Sequence, residues 1–189
     1  WNQPKHDLDM HPNYRSVSDF APVTARVKPS DVEGLESPVG RFAVFSHATQ
    51  DLHLASRDEE IPVKLQPNAS DALIVAPVLA LGDEVLFAPL GCTSMLNGGG
   101  AIRYIDTNPE QGDVDVGVVG VGRLSVYASA KPVGVLARKE GEDVQMQTSL
   151  EFQWKEHDPA LGLGGGLVSI ELPKYQPSNK GDKIPVHVL

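Results

Sequence analysis

Acidic side chains come first among the residues able to do chemistry. Two carboxyl groups held about 5 Å apart can act as nucleophile and acid/base in the cleavage or transfer of an acetal. The chain offers three places to look for them: Lys180-Gly181-Asp182, the run Asp58-Glu59-Glu60, and the spaced pair Asp113 and Asp115. Lys180-Gly181-Asp182 lies between Pro177 and Pro185, in a stretch that reads as a tail and not as the end of a buried strand. The run and the pair read as solvated turn and strand faces. No acid/base pair is expected here, and the segment by itself is expected to be inactive.

The remaining reactive types give no stronger signal. Gly120-Val121-Gly122-Arg123-Leu124-Ser125 approaches a dinucleotide fingerprint, but that motif needs a helix N-terminus to receive the pyrophosphate. An alternating strand follows instead, so a glycine-rich hairpin turn is expected. His6, His11, His47, His53, His157 and His187 contain no i, i+4 helical zinc pair. His47 and His53 flank one hairpin and read as an exposed sheet face. Cys92 reads as a small buried side chain with no base beside it. Asn68-Ala69-Ser70 is a glycosylation sequon on a turn, relevant only in a secreted protein. Trp1, Tyr14, Tyr104 and Trp154 could stack on a sugar, but read as sandwich aromatics. No metal or cofactor is implied.

Composition sets the class. The chain has 189 residues, 41% hydrophobic and 22% charged, which suits one soluble globular domain. The net charge of −9 disfavours nucleic acid and anionic membrane as partners. A single cysteine rules out an internal disulfide and fits a reducing compartment, so a cytoplasmic location is expected. No apolar run is long enough to span a bilayer. The start, Trp1-Asn2-Gln3-Pro4, is neither a methionine nor a signal peptide, and it suggests a piece of a longer polypeptide.

The elements that would position these residues are strands. With 18 glycines and 15 prolines, no dozen residues hold helical spacing uninterrupted. Strands are expected at Val23–Val27, Phe42–His47, Leu52–Leu54, Ile61–Leu65, Ala72–Ala76, Val85–Leu90, Ala101–Ile105, Val114–Val118, Leu124–Ala128, Val133–Ala137, Val144–Trp154 and Gly166–Leu172. Pro62 suggests an edge or a strand start, and Ala72–Ala76 a strand covered on both faces. The result is an all-β, antiparallel β-sandwich of the Greek-key type over 23–173. One short helical turn is expected near 93–97. Residues 1–22 read as a connector and 174–189 as a tail.

Several blocks resemble, in order, the raffinose synthase, stachyose synthase and seed imbibition proteins of glycoside hydrolase family 36. The most specific is Phe87-Ala88-Pro89-Leu90-Gly91, a short spacer, then Met95-Leu96-Asn97-Gly98-Gly99-Gly100-Ala101-Ile102. Gly120-Val121-Gly122, Val126-Tyr127-Ala128-Ser129 and Lys131-Pro132 form a second. Trp1-Asn2, Val27–Glu33, Phe42–His47 and Leu73–Val78 match more loosely, and the resemblance fades after Pro132. It implies a parent enzyme that hydrolyses or transfers α-galactosyl groups on a (β/α)8 barrel, with both catalytic carboxylates upstream of this chain. This segment would be its C-terminal sandwich, with the barrel of the same polypeptide as partner and the α-galactoside met only through the parent. Met95, Leu96, Asn97, Gly98, Gly99 and Gly100 are the expected docking loop, because glycines let backbone approach backbone. The alternative is a free-standing carbohydrate-binding module, which would need a row of exposed aromatics.

Overall fold

Alternating apolar and polar side chains, broken every few residues by glycine or proline, dictate short antiparallel strands. The computed structural model describes residues 20–82, 85–108, 110–137, 147–157 and 164–172, and the backbone of 184–188. Fifteen strands lie within these residues: β1 Val23–Val27, β2 Arg41–Ser46, β3 Leu52–Ser56, β4 Ile61–Leu65, β5 Leu73–Pro77, β6 Leu79–Leu81, β7 Val85–Cys92, β8 Ile102–Asn108, β9 Asp113–Val118, β10 Gly122–Ala128, β11 Val135–Ala137, β12 Thr148–Ser149, β13 Phe152–Glu156, β14 Gly166–Leu172 and β15 Ile184–Val188.

Two five-stranded antiparallel sheets, β13-β14-β10-β7-β6 and β12-β11-β15-β9-β8, form the sandwich. Its filling is one apolar cluster. Phe87, Leu124, Val126, Val168 and Ile170 come from the first sheet, and Val114, Val116, Val118, Val135 and Ala137 from the second. The three-stranded sheet β3-β2-β5 covers the outer face of the first. Ala43, Phe45, Leu52, Leu54 and Ala76 pack there against Ala88, Leu90 and Tyr127. The first sheet is therefore buried on both faces, and alternate residues of β7 and β10 serve different cores. The hairpin-like pair β1-β4 closes a third, smaller cluster over Val44 and Ala55.

A bulge in β7 decides which way the next loop faces. Ser125 pairs with Gly91 but Val126 with Pro89, so Leu90 is the extra residue. The extra residue shifts the alternation by one. Ala88 and Leu90 both face the outer core, while Cys92 turns into the sandwich beside Leu124. Pro89 is tolerated because the ladder from β6 ends at Phe87.

Several sequence expectations need correction. The helical turn lies on Gly98–Ala101, as a 3-10 turn, and not on 93–97. Small residues without side-chain competition tighten there, while Thr93 and Ser94 are held by hydrogen bonds to β10. Gly120–Gly122 is not a hairpin: β9 and β10 lie in different sheets, and the glycines carry the chain from one to the other. The alternation on either side points both strands into the same core, which a flat hairpin would not do. The expected strand Val144–Trp154 is two described strands, broken at Leu150 and Glu151, and its first residues fall outside the described ones. Within the expected tail, Ile184–Val188 is β15, seated between β11 and β9. Pro185 hid it, and the ladder to β11 runs only from Val186 to Val188. The rest of 173–183, and the connector up to residue 19, lie outside the described residues.

Ala72–Ala76 is covered on both faces, but only partly, because β5 is an edge strand. β4 pairs with β1 alone among the described residues, in keeping with Pro62. No helix of the described residues is long and apolar enough to cross a membrane.

Candidate functional site

The glycine-rich loop is built where β7 leaves the first sheet and β8 enters the second. Gly91 ends the regular ladder with φ of +86°, a conformation that side chains with a Cβ adopt only at a cost. Its α-carbon backs directly onto the peptide of Gly98, and a Cβ on Gly98 would lie 2.5 Å from the Cys92 carbonyl oxygen. Two stretches of backbone thus touch, and the loop folds flat on its own stem. The Met95 N–H donates to the Cys92 carbonyl at 3.0 Å and the Gly100 N–H to the Asn97 carbonyl at 3.2 Å. The Asn97 side-chain amide folds over Gly100, whose missing Cβ leaves it room.

The same loop is pinned to the Gly120–Gly122 crossover. The Thr93 N–H donates to the Arg123 carbonyl at 2.9 Å, and the Arg123 N–H donates to Ser94 Oγ at 3.1 Å. Thr93 Oγ1 and Ser125 Oγ share a hydrogen bond of 2.7 Å in the interior. The Val119 N–H donates to the Ala101 carbonyl at 2.7 Å. Ser94 Oγ occupies the space where Gly122 has no side chain, and Cys92 Sγ and Met95 Sδ flank Gly120. The two glycine motifs therefore make one rigid corner. What it presents to solvent is apolar: Leu96 is 82% exposed, Val121 54% and Met95 41%. Gly98 is buried, and Asn97, Gly99 and Gly100 are exposed.

The corner falls inside a stretch with known relatives. Residues 9–158 match the family model described as raffinose synthase or seed imbibition protein Sip1. The chain belongs to this family. It is 35% identical over 170 residues to the galactinol–sucrose galactosyltransferase of Oryza sativa subsp. japonica, covering 86% of this chain and 20% of the relative. It is 38% identical over 131 residues to probable galactinol–sucrose galactosyltransferase 5 of Arabidopsis thaliana, covering 65% and 16%. With the stachyose synthase of Pisum sativum it shares 27% identity over 134 residues, covering 70% and 14%. The chain spans about a fifth or less of the length of these curated relatives.

The other candidates in this family member resolve into structural roles. Glu59 accepts from the Ser56 N–H at 3.0 Å, and Glu60 pairs with Arg26 at 2.7 Å, both at the surface. Asp58 is exposed beside them. Asp113 corrects the expectation of a solvated face: it is only 7% exposed, at the head of β9. Asp115 is half-buried, opposite Asp106 on one side and His187 on the other. Lys180-Gly181-Asp182, Trp1, Tyr14, His6 and His11 lie outside the described residues. His47 leaves the hairpin with its ring edge-on to Phe45, 5.8 Å between centroids, and His53 sits opposite Val44 in β3. Both are half-buried and not on an open face. Among the described residues, no three acidic, histidine or cysteine side chains group as metal ligands would. Trp154 packs on Gly166 and the sandwich core, and Tyr104 lies across Gly117 at 38% exposure. Asn68 is exposed at a turn with φ of +62°.

Cys92 has no exposed surface, and burial pushes its thiol pKa up. Neutral thiol without access is unreactive. A disulfide-exchange reagent at pH 8 is therefore expected to modify Cys92 only as fast as the chain opens. Labelling of the folded chain within seconds would contradict the burial.

Sequence reasoning found the loop but missed three things: that Gly91 backs onto Gly98, that the second glycine motif clamps the first, and that Val121 joins the apolar face. The occurrence of both glycine motifs in one conserved-looking order was the available signal, because glycines lacking a turn role often mark backbone contact.

Proposed function

We propose that this chain is the C-terminal accessory β-sandwich of an enzyme that hydrolyses or transfers α-galactosyl groups of raffinose-family oligosaccharides. In this reading it packs on a catalytic (β/α)8 barrel of the same polypeptide and stabilises it. The observation that carries the reading is the corner: a clamped, inflexible loop that spends its stability holding Met95, Leu96 and Val121 out of the core. Exposed apolar side chains on a rigid mount are what a permanent interface uses, since little entropy is lost when they are covered. Each square ångström of apolar area covered would add about 25 cal/mol. The relatives that share this stretch carry galactosyltransferase names and extend about fivefold beyond it.

The α-galactoside would meet the barrel and not this domain. The sandwich would act by fixing the barrel's last elements and the loops near its site. A lone, reduced Cys92 suits a reducing compartment, and the reading places the enzyme in the cytoplasm. The test is an assay of the purified chain on an aryl α-galactoside and on galactinol with sucrose. No turnover above buffer is expected. Turnover that co-purifies with the folded chain through two orthogonal columns would contradict the proposal.

A further inference from the structure

A groove of about 290 Å³ runs along the seam between the β2–β3 hairpin and the β13–β14 pair, among the residues Asp51, Leu52, His53, Lys155, Glu156 and Leu167. Its size is at the lower limit for small-molecule sites. Leu52 is buried and Leu167 half-buried, giving an aliphatic element, while Asp51, Lys155 and Glu156 are exposed.

Charge decides what such a groove would accept. Asp51 and Glu156 disfavour an anion, and Lys155 disfavours a cation. A neutral molecule rich in hydroxyl groups is left, because each hydroxyl can donate to a carboxylate and accept from the ammonium. The Lys155 Nζ to Asp51 Oδ1 separation is 3.9 Å, too long for a direct hydrogen bond. Both groups thus keep capacity for a third partner, and one hydroxyl placed beside them can accept from the first and donate to the second. The aliphatic wall suits the C–H face of a pyranose ring.

We infer that this groove is a secondary saccharide subsite, which takes one ring of a neutral sugar between Asp51 and Lys155 at the seam of two sheets. It lies on different elements from the glycine corner, so it stands or falls separately from the docking proposal.

The test is a titration of the 15N-labelled chain with methyl α-galactopyranoside and with sucrose, followed by backbone amide shifts, with glycerol as the control polyol. Saturable shifts confined to residues 50–53 and 155–157 are expected, with Kd on the order of 1–10 mM as suits a ligand of this size. Lys155→Met and Asp51→Asn are each expected to weaken binding at least about fivefold, with the rest of the spectrum unchanged. Glu171→Gln, on an exposed pair with Arg123 away from the groove, is expected to bind as the parent chain does. The inference is overturned by linear, unsaturated shifts up to 50 mM sugar, by shifts centred elsewhere, by an equal response to glycerol, or by variants that bind normally.

Discussion

Gly91→Ala is expected to lower the stability of the chain by about 4 kcal/mol, enough to leave little of the 5–15 kcal/mol typical of a domain. Two costs add. A Cβ at φ of +86° costs about 1–2 kcal/mol on any residue. The same Cβ runs into the Gly98 peptide, which is backbone and cannot swing away as a side-chain tip would. Urea unfolding followed by tryptophan fluorescence would read this as a midpoint lowered by about 2 M, for a slope near 2 kcal/mol per molar. Two other glycines separate the terms. Gly112 has φ of +70° and open space around its α-carbon, so Gly112→Ala should cost only about 1 kcal/mol. Gly99 has open space and no unusual φ, so Gly99→Ala should stay within about 0.5 kcal/mol. Equal midpoints for Gly91→Ala and Gly112→Ala would show that the two backbones are not in contact.

Leu96→Asp should behave oppositely in two settings. In this chain alone the side chain is 82% exposed, and a surface change away from a cap or core costs within about 0.5 kcal/mol. In the full-length enzyme the proposed docking face would bury that position. An unpaired carboxylate there should cost about 2 kcal/mol or more of docking free energy, roughly a thirtyfold loss. The full-length variant is expected to lose galactosyl transfer activity at temperatures its parent survives. Leu96→Met should restore it, since methionine fills an apolar contact adaptably. An isolated chain that unfolds on Leu96→Asp would mean that the residue packs internally. A full-length variant with unchanged heat resistance would mean that the corner is not the contact.

The all-β class was legible because the alternation in segments such as Val114–Val118 and Leu124–Ala128 has one solution once helices are excluded. The number of layers was not. Phe45 and Phe87 are equally apolar in sequence, yet they face separate cores. Only sheet membership distinguishes them, and it is set by crossings such as Gly120–Gly122 that resemble hairpin turns locally. β15 was hidden for a related reason, since Pro185 argues against a strand in any local reading. The corner was legible as a loop through its run Gly98-Gly99-Gly100. Its clamping was not, because the hydrogen bonds from Thr93 and Ser94 reach residues about thirty positions away. Asp113 was misjudged because a carboxylate at a strand head carries no sequence mark of burial.

The central claim is that Met95, Leu96 and Val121 form the face by which this domain holds its catalytic partner. The most direct measurement is site-specific photocrosslinking in the full-length enzyme, with p-benzoylphenylalanine at position 96 and peptide mapping by mass spectrometry. Crosslinks to residues upstream of Trp1, with none from a matched probe at the exposed position Glu59, are the result expected. A probe at 96 that reacts only with water, or only within residues 1–189, would contradict the account.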